Sequence, residues 1–257
     1  VITLDQLQGH WIRGWIKAPG FEDHTTRVHW MQCGAAYADV RIPAERPDTS
    51  GVACLADLPA EALAQLAGSE GFAGTVALEG AHCTWQRDIN WHGTPGAMDI
   101  GHIAFDAQGK MIETGVQADY TELWDHESPD VKSAYTLTGQ GYAGTLVIIG
   151  TRCVLALDTR GRRATVSLVR QLQNATIPPE TAQLFDRIYT LGTFRDGVVQ
   201  ADLATQPKSE GDVVLTLREG RAIWHRTDFY GSQTDVLLTI DSLTSSSQRP
   251  FRSHSAS

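Results

Sequence analysis

No stretch of this chain approaches the ~20 consecutive apolar residues that a membrane-spanning helix requires. The first nine residues carry Asp5 and no basic segment ahead of an apolar run, so neither a signal peptide nor an anchor is expected, and no membrane partner. Positive charge is also scarce. Lys and Arg number 21 against 30 Asp and Glu, a net charge of -9, and the longest basic cluster is Arg160 to Arg163. Such a surface repels a phosphate backbone, which argues against nucleic acid as a partner. Cysteine is limited to Cys33, Cys54, Cys83 and Cys153, with neither CxxC spacing nor companion histidines. That pattern suggests no zinc site and no redox pair, only free thiols packed as small hydrophobes, and favours a reducing compartment such as the cytoplasm.

Signature loops are missing too. There is no Gly-x-Ser-x-Gly elbow, no phosphate-cradling Gly-rich loop ending in Lys-Ser or Lys-Thr, and no His-Glu-x-x-His. Serine-triad, nucleotide and zinc-protease chemistry therefore lose their usual support. Helical periodicity is found only over Pro59 to Leu66 and Pro179 to Leu191. Two insertions of this kind cannot supply the crossovers of a doubly wound sheet.

What is present is period-two alternation, broken by Gly, Pro, Asp and Asn, along nearly the whole chain. Strands are predicted from Gly9 to Ile16 through Ala118 to Trp124, and again from Ser133 to Ile240, including Ala164 to Leu172 and a long one from Gly192 to Leu203. With 42% hydrophobic residues in 257, such a chain can bury one large core or two small ones. The expectation is an all-β protein of antiparallel barrels with short inserted helices. Charge, Ser and Pro129 interrupt the pattern at His126 to Val131, which divides the chain into a lobe over 1–128, a second over 129–243 and a polar, Ser-rich tail over 244–257. Gly71 to Cys83 matches Gly141 to Cys153 at Gly71, Ala73, Gly74, Thr75, Gly80 and Cys83, either a duplicated hairpin or two Gly-bounded hairpins alike by chance.

The first lobe has an unusual face pattern. Residues two apart share a face of a strand, and one face carries Trp11, Arg13 and Trp15, another Tyr37, Asp39 and Arg41. Cys83, Trp85, Arg87 and Ile89 share a third, and Tyr120, Glu122 and Trp124 a fourth. Rings interleaved with charges suit neither open solvent nor an oily core. They suit a barrel lumen in which Arg13, Arg41 and Arg87 pair with Asp39, Glu122 and Glu113. The same residues can merely stack to close a small barrel, so a ligand pocket and a closure cluster both stay open.

Gly9-His10-Trp11 resembles the Gly-x-Trp opening of lipocalin-like, or calycin, barrels. Together with Tyr37 to Pro43, Gly71 to Gly74, Cys83 to Ile89, Asp99 to Gly101, Glu113 to Gly115 and Tyr120 to Trp124, it is similar to uncharacterised bacterial and fungal proteins of the yeast Hri type. That resemblance implies two lipocalin-like lobes and carries no catalytic assignment.

The expected function is binding of a small organic molecule in the first lobe, with conversion by cofactor-free and metal-free acid-base catalysis of the isomerase, cyclase or lyase type. Glu122, Asp39, Arg87, Glu113 and Asp99 are the catalytic candidates. Trp11, Arg13, Tyr37, Arg41, Trp85, Tyr120 and Trp124 are the ligand-binding ones, joined by His29 and His102 as mid-strand candidates for a general base or axial ligand. The rivals are a non-catalytic carrier and an interaction module that forms a homodimer.

Overall fold

The computed structural model describes residues 2–93, 97–127, 129, 131–161 and 165–243. The tail expected over 244–257 and Arg162 and Arg163 of the basic cluster lie outside the described residues. The chain forms two closed barrels of eight antiparallel strands each. The first contains β1 (Gly9–Ala18), β2 (Phe21–Asp23), β3 (Arg27–Cys33), β4 (Ala36–Ile42), β5 (Glu70–Glu79), β6 (His82–Asn90), β7 (Asp99–Phe105), β8 (Met111–Gly115) and β9 (Thr121–Glu127). Pairing follows chain order and β1 returns to β9, while β2 stands outside the ring as a flap on β1. The second barrel comprises β10 (Lys132–Gly139), β11 (Tyr142–Ile149), β12 (Arg152–Asp158), β13 (Ile188–Arg195), β14 (Val198–Ala204), β15 (Val213–Arg218), β16 (Arg221–Thr227) and β17 (Gln233–Ser242), closed by β10 on β17.

The barrels meet through the outer faces of β3 and β4 against β11 and β12. Met31, Ala38, Val40 and Ile42 pack there with Val147, Ile149, Val154 and Ala156. Full burial of an aliphatic side chain of this size contributes about 1.5–3 kcal/mol, so this seam is a shared core. It explains why β4 is buried on both faces: Tyr37, Asp39 and Arg41 look into the lumen while Ala38, Val40 and Ile42 look at the other barrel. The seam also needs Gly71. A Cβ there would stand 2.6 Å from the Tyr189 ring of the second barrel. Gly71→Ala is therefore expected to lower stability by about 1–3 kcal/mol, the usual range for overpacking, read as a shifted urea midpoint.

The interiors differ. The second barrel is filled by Leu137, Leu146, Ile148, Leu155, Leu157, Leu215, Trp224 and Leu238, an ordinary apolar core. The first holds Trp11, Trp30, Trp85, Trp124, Tyr37 and Phe72 below a layer of charge. Its lower end is stopped by α1 (Leu4–Leu7), whose Leu7 is fully buried and whose Leu7 carbonyl accepts the Trp11 Nε1 proton at 2.8 Å.

Several expectations need correction. The strand predicted over Ala164 to Leu172 is the helix α3 (Val166–Gln173): Leu168 and Leu172, one helical turn apart, are buried while Ser167, Arg170 and Gln171 are exposed. It packs on α2 (Ala60–Ala67), which lies where Pro59 to Leu66 predicts a helix. The helix predicted over Pro179 to Leu191 is only one turn, α4 (Thr181–Leu184), because Ile188 to Leu191 pair with β12. The single strand predicted over Gly192 to Leu203 is the β13–β14 hairpin, turned at Asp196 and Gly197, both with positive φ as a type I′ turn requires. The matching Gly71 and Gly141 segments form the β5–β6 and β11–β12 hairpins, which hold different places in their barrels: fourth and fifth in one, second and third in the other.

Candidate functional site

One end of the first barrel holds a cavity of about 160 Å³. Its walls are Ile16, Trp30, Asp39, Arg41, Phe72, Trp85, Arg87, Asp99, Glu113, Tyr120, Glu122 and Trp124. β4, β6 and β9 each bring two of these residues, β1, β3, β5, β7 and β8 bring one each, and Tyr120 stands just ahead of β9. An engineered cavity of roughly 150 Å³ takes up benzene, so the space suits a single small ring with a short arm. A second cleft of about 320 Å³ lies beside β15, β16 and β17, but several of its walls, such as Asp212, Gln233, Thr234 and Asp235, are exposed strand-end residues.

The floor is aromatic. Trp30 stacks on Trp11 with centroids 5.9 Å apart and meets Trp85 and Trp124 edge-on at 5.6 and 5.8 Å. Above it, each guanidinium has its own carboxylate. Arg13 Nη1 donates to Glu122 Oε1 at 2.7 Å and its Nη2 to Asp23 at 3.3 Å, and Arg41 Nε donates to Asp39 Oδ1 at 3.0 Å. Arg87 Nη2 donates to Asp99. Arg41 and Arg87 both lie over the Phe72 ring, at 4.8 and 3.6 Å, which leaves their flat faces on carbon rather than in water.

Glu113 is the exception. Only 5% exposed, it accepts the Tyr120 hydroxyl proton at 2.8 Å and, among the described residues, forms no salt bridge. It lies directly across the β8–β9 ladder from Glu122. Burial, then the Glu122 charge, push its carboxyl well above the ordinary range. Burial likewise lifts Asp39 to about 6 despite Arg41. Two cross-strand glycines make the room: a Cβ on Gly101 would stand 2.8 Å from Glu113 Cγ, and one on Gly115 2.4 Å from the Tyr120 ring. Gly101→Ala is expected to displace the Glu113 side chain while sparing the fold, seen as a shifted Glu113 carboxyl titration by NMR.

The structure gathers Asp39, Arg41, Trp85, Arg87, Asp99, Glu113, Tyr120, Glu122 and Trp124 around one space. It places the other candidates elsewhere. Arg13 stands behind Glu122, bridging it to Asp23. Trp11 and Tyr37 are buried deeper and do not reach the cavity. His29 is a correction: it sits on the outer face of β3, 3.0 Å from His10, where burial holds the two imidazoles down to about 4 and about 3. His102 is another, since it alternates out of the lumen between buried Gly101 and Ile103 and meets His82 on the outside at 5.6 Å. Neither histidine can serve the lumen. The pairing also differs from expectation, because Arg87 takes Asp99 and leaves Glu113 to Tyr120.

Two irregularities rotate residues across the sheet. A bulge at Gly14 turns Trp15 outward, under Lys17, and brings Ile16 to the cavity. Another at Asp88 keeps Arg87 inside and sends Ile89 to the seam between barrels. Trp30 and Phe72 were missed as site residues. The alternation Val28, Trp30, Gln32 offered the first, and Phe72, Gly74, Val76 the second.

Fold and site define a two-barrel β protein with a charged lumen in its first barrel. No protein family and no curated protein matches the sequence. Among solved structures, the chain is similar to the uncharacterized protein YLR301w from Saccharomyces cerevisiae, at 10% identity and a TM-score of 0.50, covering 90% of this chain and 96% of that one. At this identity the likeness concerns the fold.

Proposed function

We propose that the first barrel binds a small organic molecule and moves a proton on it, with Glu113 and Glu122 as the working pair. The supporting observation is their opposed surroundings across one ladder: Glu122 is ion-paired to Arg13 at 2.7 Å and lies 3.8 Å from Arg41, whereas Glu113 has a phenol alone. Neighbouring acids in such unequal surroundings suit the roles of base and acid. Asp39, Arg41, Arg87 and Asp99 hold the field around them, and the tryptophan floor takes the apolar part of the ligand. The consecutive strand order of both barrels, and Gly9-His10-Trp11 at the start of β1 with Trp11 at the stopped end, further support a calycin type for each barrel.

The test is a two-stage screen. Monocyclic compounds are first tested for quenching of tryptophan fluorescence, and the binders are then incubated in deuterated water and read for deuterium uptake at carbon by mass spectrometry. Uptake is expected to fall by about 10²–10⁴-fold in Glu122→Gln, the usual worth of a general acid or base, with the fold retained. Binding without exchange in the parent protein would leave a carrier, and absence of any binder would remove the pocket reading altogether.

A further inference from the structure

The geometry points to an organic cation, a small amine carried on a single ring, as the ligand class of the first barrel's lumen; the inference rests on the pocket reading above. It starts from a charge count. Three guanidiniums, Arg13, Arg41 and Arg87, face five carboxyl groups, Asp23, Asp39, Asp99, Glu113 and Glu122. Each guanidinium already holds a carboxylate within 3.0 Å, so its charge is met inside the protein, although Arg87 Nε keeps a donor without a partner among the described residues. A ligand carboxylate would add a sixth acid to the site.

A buried carboxyl without a cation has two remedies: it keeps its proton, or it receives a positive charge. Glu113 is that group, and it borders the cavity. The rest of the lining suits a positive charge as well. Trp30, Trp85, Trp124 and Tyr120 line the cavity with aromatic rings, a residue type that attracts cations, as the protein's own Arg41 and Arg87 over Phe72 illustrate. A cavity of about 160 Å³ limits the occupant to roughly a benzene ring with a short arm. An ammonium group on that arm would meet Glu113 while the ring rests on the indoles.

Proton balance makes the idea testable. An ammonium ion arriving beside Glu113 expels the Glu113 proton to solvent, and an amine arriving uncharged takes that proton. In both cases the final pair is ammonium and carboxylate. The groups facing Glu113 are Glu122 and Tyr120, Asp99 on β7 and Arg41 on β4. Because carboxyls dominate that set, affinity for an ammonium ion should rise with pH until Glu113 is ionised in the free protein.

Benzylamine, benzyl alcohol and benzoate, nearly equal in size, are the probes, titrated by calorimetry at low salt. Benzylamine is expected to bind at least about tenfold more tightly than either relative, and Glu113→Gln to weaken it by about tenfold or more and flatten its pH dependence. Circular dichroism of the variant separates this from misfolding. Equal or tighter binding of benzoate or benzyl alcohol would overturn the amine assignment while keeping the pocket, as would full benzylamine affinity in Glu113→Gln. If none of the three probes binds, the pocket reading falls with it.

Discussion

Arg187→Met is expected to cost about 3–5 kcal/mol of folding stability, the usual loss when one member of a buried ion pair is removed. Arg187 and Asp158 are both fully buried, 3.0 Å apart, at the junction of the barrels. Arg187 Nη1 also donates to the Trp91 carbonyl of the first barrel at 2.6 Å, and the Tyr189 hydroxyl donates to the same Asp158 oxygen at 2.9 Å. Methionine keeps most of the volume but takes the buried guanidinium from Asp158 and from the Trp91 carbonyl. Removing the three side chains together should behave differently. In Arg187→Met with Asp158→Leu and Tyr189→Phe neither member of the pair remains, and part of the loss should return, because an apolar replacement of a buried pair is often neutral. Urea unfolding followed by tryptophan fluorescence measures both. A single variant within about 1 kcal/mol of the parent would show that this cluster does not staple the barrels.

The second large effect is on the dependence of stability on pH. A carboxyl whose folded pKa is raised binds its proton more tightly in the native state than in the unfolded chain. Its contribution is therefore complete below the unfolded value and is lost as pH rises towards the folded one. Glu113 belongs to this class through burial and the Glu122 charge, and Asp39 does so up to about 6. His10 and His29 act in the opposite sense below the ordinary histidine value, since burial holds them neutral and their stability is lost as pH falls. Above neutrality those imidazoles and Asp39 no longer change, which isolates Glu113. Glu113→Gln should gain on the parent as pH climbs from about 4.5 to 8, by about 1.4 kcal/mol for each unit by which Glu113 is raised. Equal pH slopes in the two proteins would mean that Glu113 titrates as an ordinary surface acid.

The lumen was legible because a period of two is a local property. Tyr37, Asp39 and Arg41, or Tyr120, Glu122 and Trp124, need only a straight strand to share a face. It failed where one residue was inserted: no local signal beyond Gly14 itself marks the bulge that exchanges Trp15 for Ile16, and Asp88 gives none at all. His29 was misplaced for another reason. With the second barrel against its outer face, β3 is buried on both sides, so a mid-strand histidine need not look into the lumen. The region from 164 to 191 misled because Leu168 and Leu172 carry a helical period too short to see clearly, and because Ile188 to Leu191 become a strand only by pairing with β12, a contact made across a long connection. The choice of acid partners, Asp99 rather than Glu113 for Arg87, depends on how the ring closes and is a property of no single segment.

Closure itself has a consequence for how this protein meets others. Each ring strand is hydrogen-bonded on both sides, and only β2, three residues long and flanked by the Lys17–Glu22 ion pair, has a single neighbour. With that short edge as the exception among the described strands, the closed rings offer little backbone template for an incoming strand, whether from an aggregate or from an extended peptide. Recognition must then pass through side chains and connecting loops, and self-assembly into fibrils would first require a barrel to open.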